Sequence, residues 1–189
     1  VGDQDSQITY LQESSNFCCS EFGPFTSADF LAARTGPHAY VRPVYSGWIA
    51  GLTCDPTAQW ISESAANDSH TSLYAISFDV ATCCIAHAEL TFCWAADDSL
   101  GGATYNTAGV YLNELPLNSI SGGGPGVETS VGPVDVSSLV HCGSNTLYVY
   151  DHDTAWVISG VLFNAEINIT ECATPTELTT WSTIKAMYH

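Results

Sequence analysis

Apolar residues recur at every second position through much of the chain. In Tyr74–Val80, Tyr74, Ile76, Phe78 and Val80 share one side, and in Glu89–Ala95, Leu90, Phe92 and Trp94 do the same. Val161–Ile169 places Val161, Phe163, Ala165, Ile167 and Ile169 opposite Asn164, Glu166 and Asn168. Gly109–Leu112, Leu147–Tyr150 and Gln7–Leu11 are shorter β-rich runs. A period of two is the mark of a strand with one buried face. Gly101-Gly102, Gly122–Gly126 and Gly132-Pro133 punctuate these runs and are expected in loops. Helix is scarce: Ser27–Arg34 predicts a short helix capped by Ser27, and Asp135–Val140 another capped by Asp135. The pattern predicts an all-β, two-sheet antiparallel sandwich.

Charge narrows the partners. Twenty acidic residues stand against Arg34, Arg42 and Lys185, for a net charge of −17. Phosphate recognition needs clustered cations, so nucleic acid is excluded as a partner, and anionic membrane surfaces are disfavoured. No apolar run is long enough to insert in a membrane. Cations, sugars and further copies of the chain remain. The plain alternative is that the charge only keeps the chain soluble.

The eight cysteines, Cys18, Cys19, Cys54, Cys83, Cys84, Cys93, Cys142 and Cys172, suit a disulfide framework and an oxidising compartment. None shows the Cys-x-x-Cys spacing typical of zinc sites. Neighbours in extended chain point oppositely, so Cys18-Cys19 and Cys83-Cys84 are expected to bond to different partners rather than within a pair. Connectivity stays open. The sequons Asn67-Asp68-Ser69 and Asn168-Ile169-Thr170 make Asn67 and Asn168 glycosylation candidates. With Val1 first, the chain reads as a mature secreted product.

Several segments carry a family resemblance when taken in order: AQWIS at Ala58–Ser62, YAISFDV at Tyr74–Val80, and ELTFCWAADDSL at Glu89–Leu100. They continue with GVYLNELPL at Gly109–Leu117, DVSSLVHCGSNTLYVYDHDT at Asp135–Thr154, and GVLFNAEI at Gly160–Ile167. Together they resemble the galactose-binding-like jelly rolls, accessory modules of glycosidases and domains of bacterial secreted proteins, over roughly residues 26–170. The resemblance implies residues 26–172 as the sandwich, 1–25 as an N-terminal extension and 173–189 as a C-terminal one. Where the family often has Asn-Gly, this chain has Asn113-Glu114, which predicts a longer or differently shaped turn.

Asp97 and Asp98 follow one strand, and Asp151 and Asp153 flank His152 after another. On a shared rim these four carboxylates would suit Ca²⁺, which the resembled fold often carries; the alternative is that they cap turns. Trp48, Tyr105 and Trp156 are candidates for stacking on sugar rings, against core or rim packing. No catalytic motif stands out, and the chain is read as no enzyme. The expected function is a secreted structural or assembly subunit, forming a homo-oligomer or fibre. The alternative is a carbohydrate-binding module. The ends are the expected contacts, through Ile8, Tyr10 and Leu11 at the head and Trp181, Ile184, Met187 and Tyr188 at the tail.

Overall fold

The period-two runs form strands. The structure, a computed structural model, describes residues 3–13, 20–66, 70–155 and 157–173. In chain order these hold β1 (Gln4–Gln12), α1 (Ser27–Arg34), β2 (His38–Val41), β3 (Ile61–Ser62), β4 (Ser72–Val80) and β5 (Ile85–Asp97). There follow β6 (Ser99–Leu100), β7 (Val110–Leu112), β8 (Leu115–Pro116), β9 (Thr129–Asp135), β10 (Gly143–His152) and β11 (Gly160–Glu171). Every strand pairing is antiparallel, in the order β8-β7-β10-β4-β1-β2-β3-β11-β5-β9, with β6 against β10. The ladder folds over, so that Tyr74, Leu147 and Val149 share one apolar core with Leu90, Phe92, Trp94 and Val161. This is an all-β antiparallel domain compatible with a jelly-roll sandwich.

The outer faces are covered at one end. α1 lays Phe30 and Ala33 on Leu73, Ala75, Tyr111 and Tyr148. On the other side, Trp48, Leu52 and Trp60 cover Cys93, Ala95 and Leu162. The helix occupies the expected residues, but Thr26 is its N-cap: the Asp29 carboxylate accepts from the Thr26 amide at 2.8 Å and hydroxyl at 2.7 Å. Asp135 caps only a turn, accepting from the Ser137 amide at 2.9 Å.

Three expectations are corrected. Gln4–Gln12, assigned to an N-terminal extension, is woven into the sheet, with Ile8 opposite Ile76 and Gln12 opposite Ser72. Gly132-Pro133 lies inside β9 rather than in a loop; β9 is a sheet edge with an irregular register against β5, where a missing amide donor is tolerated. Asn113-Glu114 is a tight two-residue turn, with φ of 50° and 71°, between the paired Leu112 and Leu115. Asn113 is held there by donating to Leu139 O and accepting from the Thr146 amide. Glu114 accepts from the Ser27 hydroxyl at 2.6 Å. Within the glycine-rich segment, Gly123 is required: its φ is 106°, and a Cβ would sit 2.6 Å from Trp94 Nε1, which donates to Gly122 O.

Three disulfides join described cysteines: Cys54–Cys93, Cys83–Cys142 and Cys84–Cys172. The vicinal pair Cys83-Cys84 thus reaches two different partners, as expected. Cys142 precedes β10 and Cys172 follows β11, so one β-turn is bonded to both halves of the ladder. Cys18 and Cys19 lie outside the described residues. Non-reducing peptide mapping should recover these three pairs. Replacing Cys84 and Cys172 together by serine should cost about 2–5 kcal/mol in a denaturant titration, because the bridge closes a long loop in the unfolded chain.

Candidate functional site

β4 and β11 both start at one end of the sandwich, and β5 and β10 end there. The strand ends bring carboxylates together. Asp97 is the last residue of β5 and Asp98 follows it. Asp151 lies on β10 and Asp153 just after it, and Glu63 follows β3. Asp151 is 0% exposed, Asp153 1% and Glu63 2%. Hydrogen bonds hold each of them. Trp48 Nε1 donates to Asp97 at 2.9 Å, and the Thr154 amide and hydroxyl both donate to Asp98. Ser159 Oγ donates to Asp151 Oδ2 at 3.0 Å, and the Ala155 amide to Asp153 at 3.2 Å. Glu63 accepts from Ser62 Oγ and the His70 amide. The other oxygen of Asp151, Oδ1, is buried and has no hydrogen-bond partner among the described residues.

Electrostatics follow from this crowding. Burial pushes the Asp151 carboxyl well above its ordinary value, and the charges of Glu63, Asp97 and Asp153 add to the effect. Burial, together with the hydrogen bond to and charge of Asp98, raises Asp97 to about 6. Asp98 is only partly buried; the Thr154 donors and Asp97 outweigh the effect of burial, and its carboxyl sits below the ordinary value. The sequence-predicted Asp97, Asp98, Asp151 and Asp153 therefore share one end and sense one another. They do not form a closed cage: among the described residues, the one group of three or more candidate ligand atoms within 4.8 Å of one another is Cys54, Cys93 and Glu128. Its two sulfurs are already bonded together. Glu63 was missed by sequence reading, because it follows a two-residue strand that shows no period.

The aromatic candidates separate. Trp48 is a core residue, 9% exposed, stacked on Trp60 with ring centroids 4.0 Å apart, so its ring is occupied by protein rather than offered to a sugar. Tyr105 is 48% exposed, in a loop whose amides at Ala103, Thr104 and Tyr105 donate to Glu21. Near it an open depression of about 420 Å³ is lined by Gly101, Gly102, His152 and Thr154. Trp156 and Asn67 lie outside the described residues. Asn168 is exposed on the outer side of β11. Nearby cationic charge is sequestered: Arg42 is 5% exposed, its guanidinium donating to Ser64 O and Tyr45 OH.

A serine, histidine and carboxylate do meet elsewhere. Ser137 Oγ is 3.0 Å from His87 Nδ1, and His87 Nε2 is 3.0 Å from Glu89. The serine is already engaged by the Ala88 amide and by Asp135, so it ties the segment after β9 to β5.

The opposite half of the sandwich holds an apolar groove of about 360 Å³ between β4 and β11. Ile76, Phe78, Leu147, Phe163, Ala165 and Ile167 line it. β1 pairs with β4 only from Ile8 onward, and β3 pairs with β11 only at Val161. Among the described residues, Ser77–Val80 and the rest of β11 have no ladder partner on the groove side. Where β1 leaves β4 its register against β2 shifts between Gln4 and Thr9, and the Asp5 carboxylate accepts from the amides of Gln7 and Ile8, both at 2.7 Å. The inward-facing Ile76, Phe78, Phe163, Ala165 and Ile167 remain only partly buried.

No protein-family model matches the chain, and no curated protein matches it.

The acidic end sets a pH dependence. A carboxyl raised in the folded state binds its proton more tightly there than in the unfolded chain, so it favours folding at low pH. That contribution is lost as pH rises from about 4 through the folded value. The lowered Asp98 acts oppositely, but only below about pH 4. With chelator present, melting temperature should therefore fall between pH 5 and pH 7.5. Asp97→Asn should flatten that slope; a slope unchanged by the substitution would show that Asp97 is not its source.

Proposed function

We propose that this chain is a secreted, non-enzymatic structural subunit that associates with copies of itself. The observation that carries the reading is the groove between β4 and β11. Strand edges unpaired among the described residues, on both sides of partly buried apolar residues, form a template for another strand, and monomeric sandwiches normally cover, charge or shorten such edges. The disulfides are compatible with an extracellular setting. The galactose-binding-like resemblance supplies the scaffold in this reading, and the exposed Asn168 a glycan acceptor.

Sedimentation of the full chain across concentration and ionic strength tests it. Association should strengthen with salt, because screening weakens repulsion between copies of charge −17 while leaving apolar burial intact. A chain that stays monomeric at every concentration and salt overturns the reading. Binding on a glycan array, at the depression beside Tyr105, would then favour a carbohydrate-binding module.

A cation at the acidic end is a second element of the proposal, carried by the orphaned Asp151 Oδ1. Asp97, Asp98, Asp151 and Asp153 offer the hard oxygen donors that Ca²⁺ takes. Millimolar calcium should raise the melting temperature and chelator lower it, since a ligand that binds only the folded state stabilises it. No shift would remove an exchangeable site.

A further inference from the structure

We propose that residues 174–189 of one copy enter the groove between β4 and β11 of a second copy as an added strand. This rests on the self-association reading above and names the segment that performs it.

The groove is an apolar channel of about 360 Å³ bordered by two unpaired strand edges among the described residues. β4 and β11 run in the same direction away from the acidic end, and near that end β1, β2 and β3 join them in order, with β1 antiparallel to β4. Beyond Ile76, no described residue continues the line of β1 along β4. The slot there is bordered by Ser77–Val80 on one side and by β11 beyond Val161 on the other. A strand antiparallel to β4 would continue its ladder beyond Ile76, with its other edge facing β11. Four to eight residues would fill the slot, a span of roughly 13–27 Å at the rise of a strand. Inward-facing residues of the added strand would cover Phe78, Phe163 and Ile167, and its backbone would meet the two unpaired edges. Main-chain pairing with alternate side chains in pockets is the established logic of strand addition.

The tail fits that slot. It follows Cys172, which Cys84 fixes at the end of the sandwich where the slot opens. From Leu178 to Tyr188 it is rich in Thr, Trp, Ile and Tyr, which suit strands. A period of two places Leu178, Ile184, Ala186 and Tyr188 on one side, with the small Thr180 and Ser182 between them. Glu177 and Lys185 cancel, so the segment is neutral within a strongly acidic chain and can approach another copy without repulsion. Sixteen residues, 174 to 189, leave several to bridge between copies after the slot is filled.

Insertion into the same chain is disfavoured by what joins the tail to β11. Only Ala173 and Thr174 separate the bridged Cys172 from Pro175. A tight hairpin back onto β11 needs residues that accept positive φ, typically Asn-Gly, and a first ladder position that donates an amide. Neither is present. One donor and one slot on each copy make the contact heterologous, and such contacts propagate into open chains.

Complementing two defective chains tests this directly. The strands and three bridges described here all lie before residue 174, so a chain ending at 173 keeps its slot and loses its donor. An Ala165→Trp chain keeps its donor and has a filled slot. Each alone should sediment as a folded monomer, with near-ultraviolet dichroism and disulfide pairs like those of the full chain. Mixed, they should form a one-to-one dimer of twice the mass, and no larger species. Ile167→Glu serves as a second blocked-slot variant should the tryptophan perturb folding. A synthetic 174–189 peptide should bind the chain ending at 173 and not the blocked one. If the chain ending at 173 associates as the full chain does, another segment fills the slot, and the assembly reading survives without this inference. If the mixture stays monomeric while the full chain associates, insertion between copies is overturned. If the full chain itself does not associate, both fail.

Discussion

Hydrogen bonding connects β4 to β11 at one end of the sandwich only, through β1, β2 and β3. At the other end the two halves are held by covalent bonds. Cys83 and Cys84 sit side by side in the turn between β4 and β5, and their side chains depart in different directions, as neighbours in extended chain do. One is bonded beside β10 and the other beyond β11. The spacing of the sheets there is thus fixed without a strand in the gap. A ladder closed at both ends would have no groove, and a ladder open without the bridges would be free to splay. The short connection between β4 and β5 joins the two halves there, and its adjacent cysteines clamp it to β10 on one side and to β11 on the other.

The two ends of the molecule concentrate opposite kinds of incompleteness. At one end strand termini crowd carboxylates into a space where Asp151 and Glu63 are almost fully buried. Serine, threonine and tryptophan donors satisfy part of that demand, and raised protonation of Asp97 and Asp151 relieves part of the rest. At the other end the deficit is apolar. Phe78, Phe163, Ala165 and Ile167, whose period aims them at the core, pack against it but are only partly buried. The tryptophans and α1 cover the outer faces near the acidic end, and nothing comparable among the described residues covers the groove.

The long strands were legible because burial on one face imposes period two over many residues; Tyr74–Val80, Glu89–Ala95 and Val161–Ile169 all lie in the strands they predicted. β2, β3, β6 and β8 were not, since two to four residues carry too little pattern. β9 was hidden by Gly132-Pro133, a signal for loops that an edge strand tolerates. Asn113-Glu114 illustrates a tertiary override: local preference argues against Glu at positive φ, yet bonds from Ser27, Leu139 and Thr146 hold the turn. The shared rim of Asp97, Asp98, Asp151 and Asp153 was legible from their positions after strands. The groove was not, because it depends on where β1 stops pairing with β4 and shifts register against β2, and no local pattern records that.

The burial of Arg42 has a consequence for proteolysis. Proteases of the trypsin type cut after Lys or Arg, and this chain has three such residues. Arg42 is enclosed by Ser64 and Tyr45 and is followed by Pro43, whose ring disfavours cleavage of the preceding bond. Arg34 ends a helix that is packed on the sheet. Lys185 is the third, in the terminal segment. A chain built almost without cationic side chains, with one of the three locked into its interior, leaves such enzymes very few places to begin.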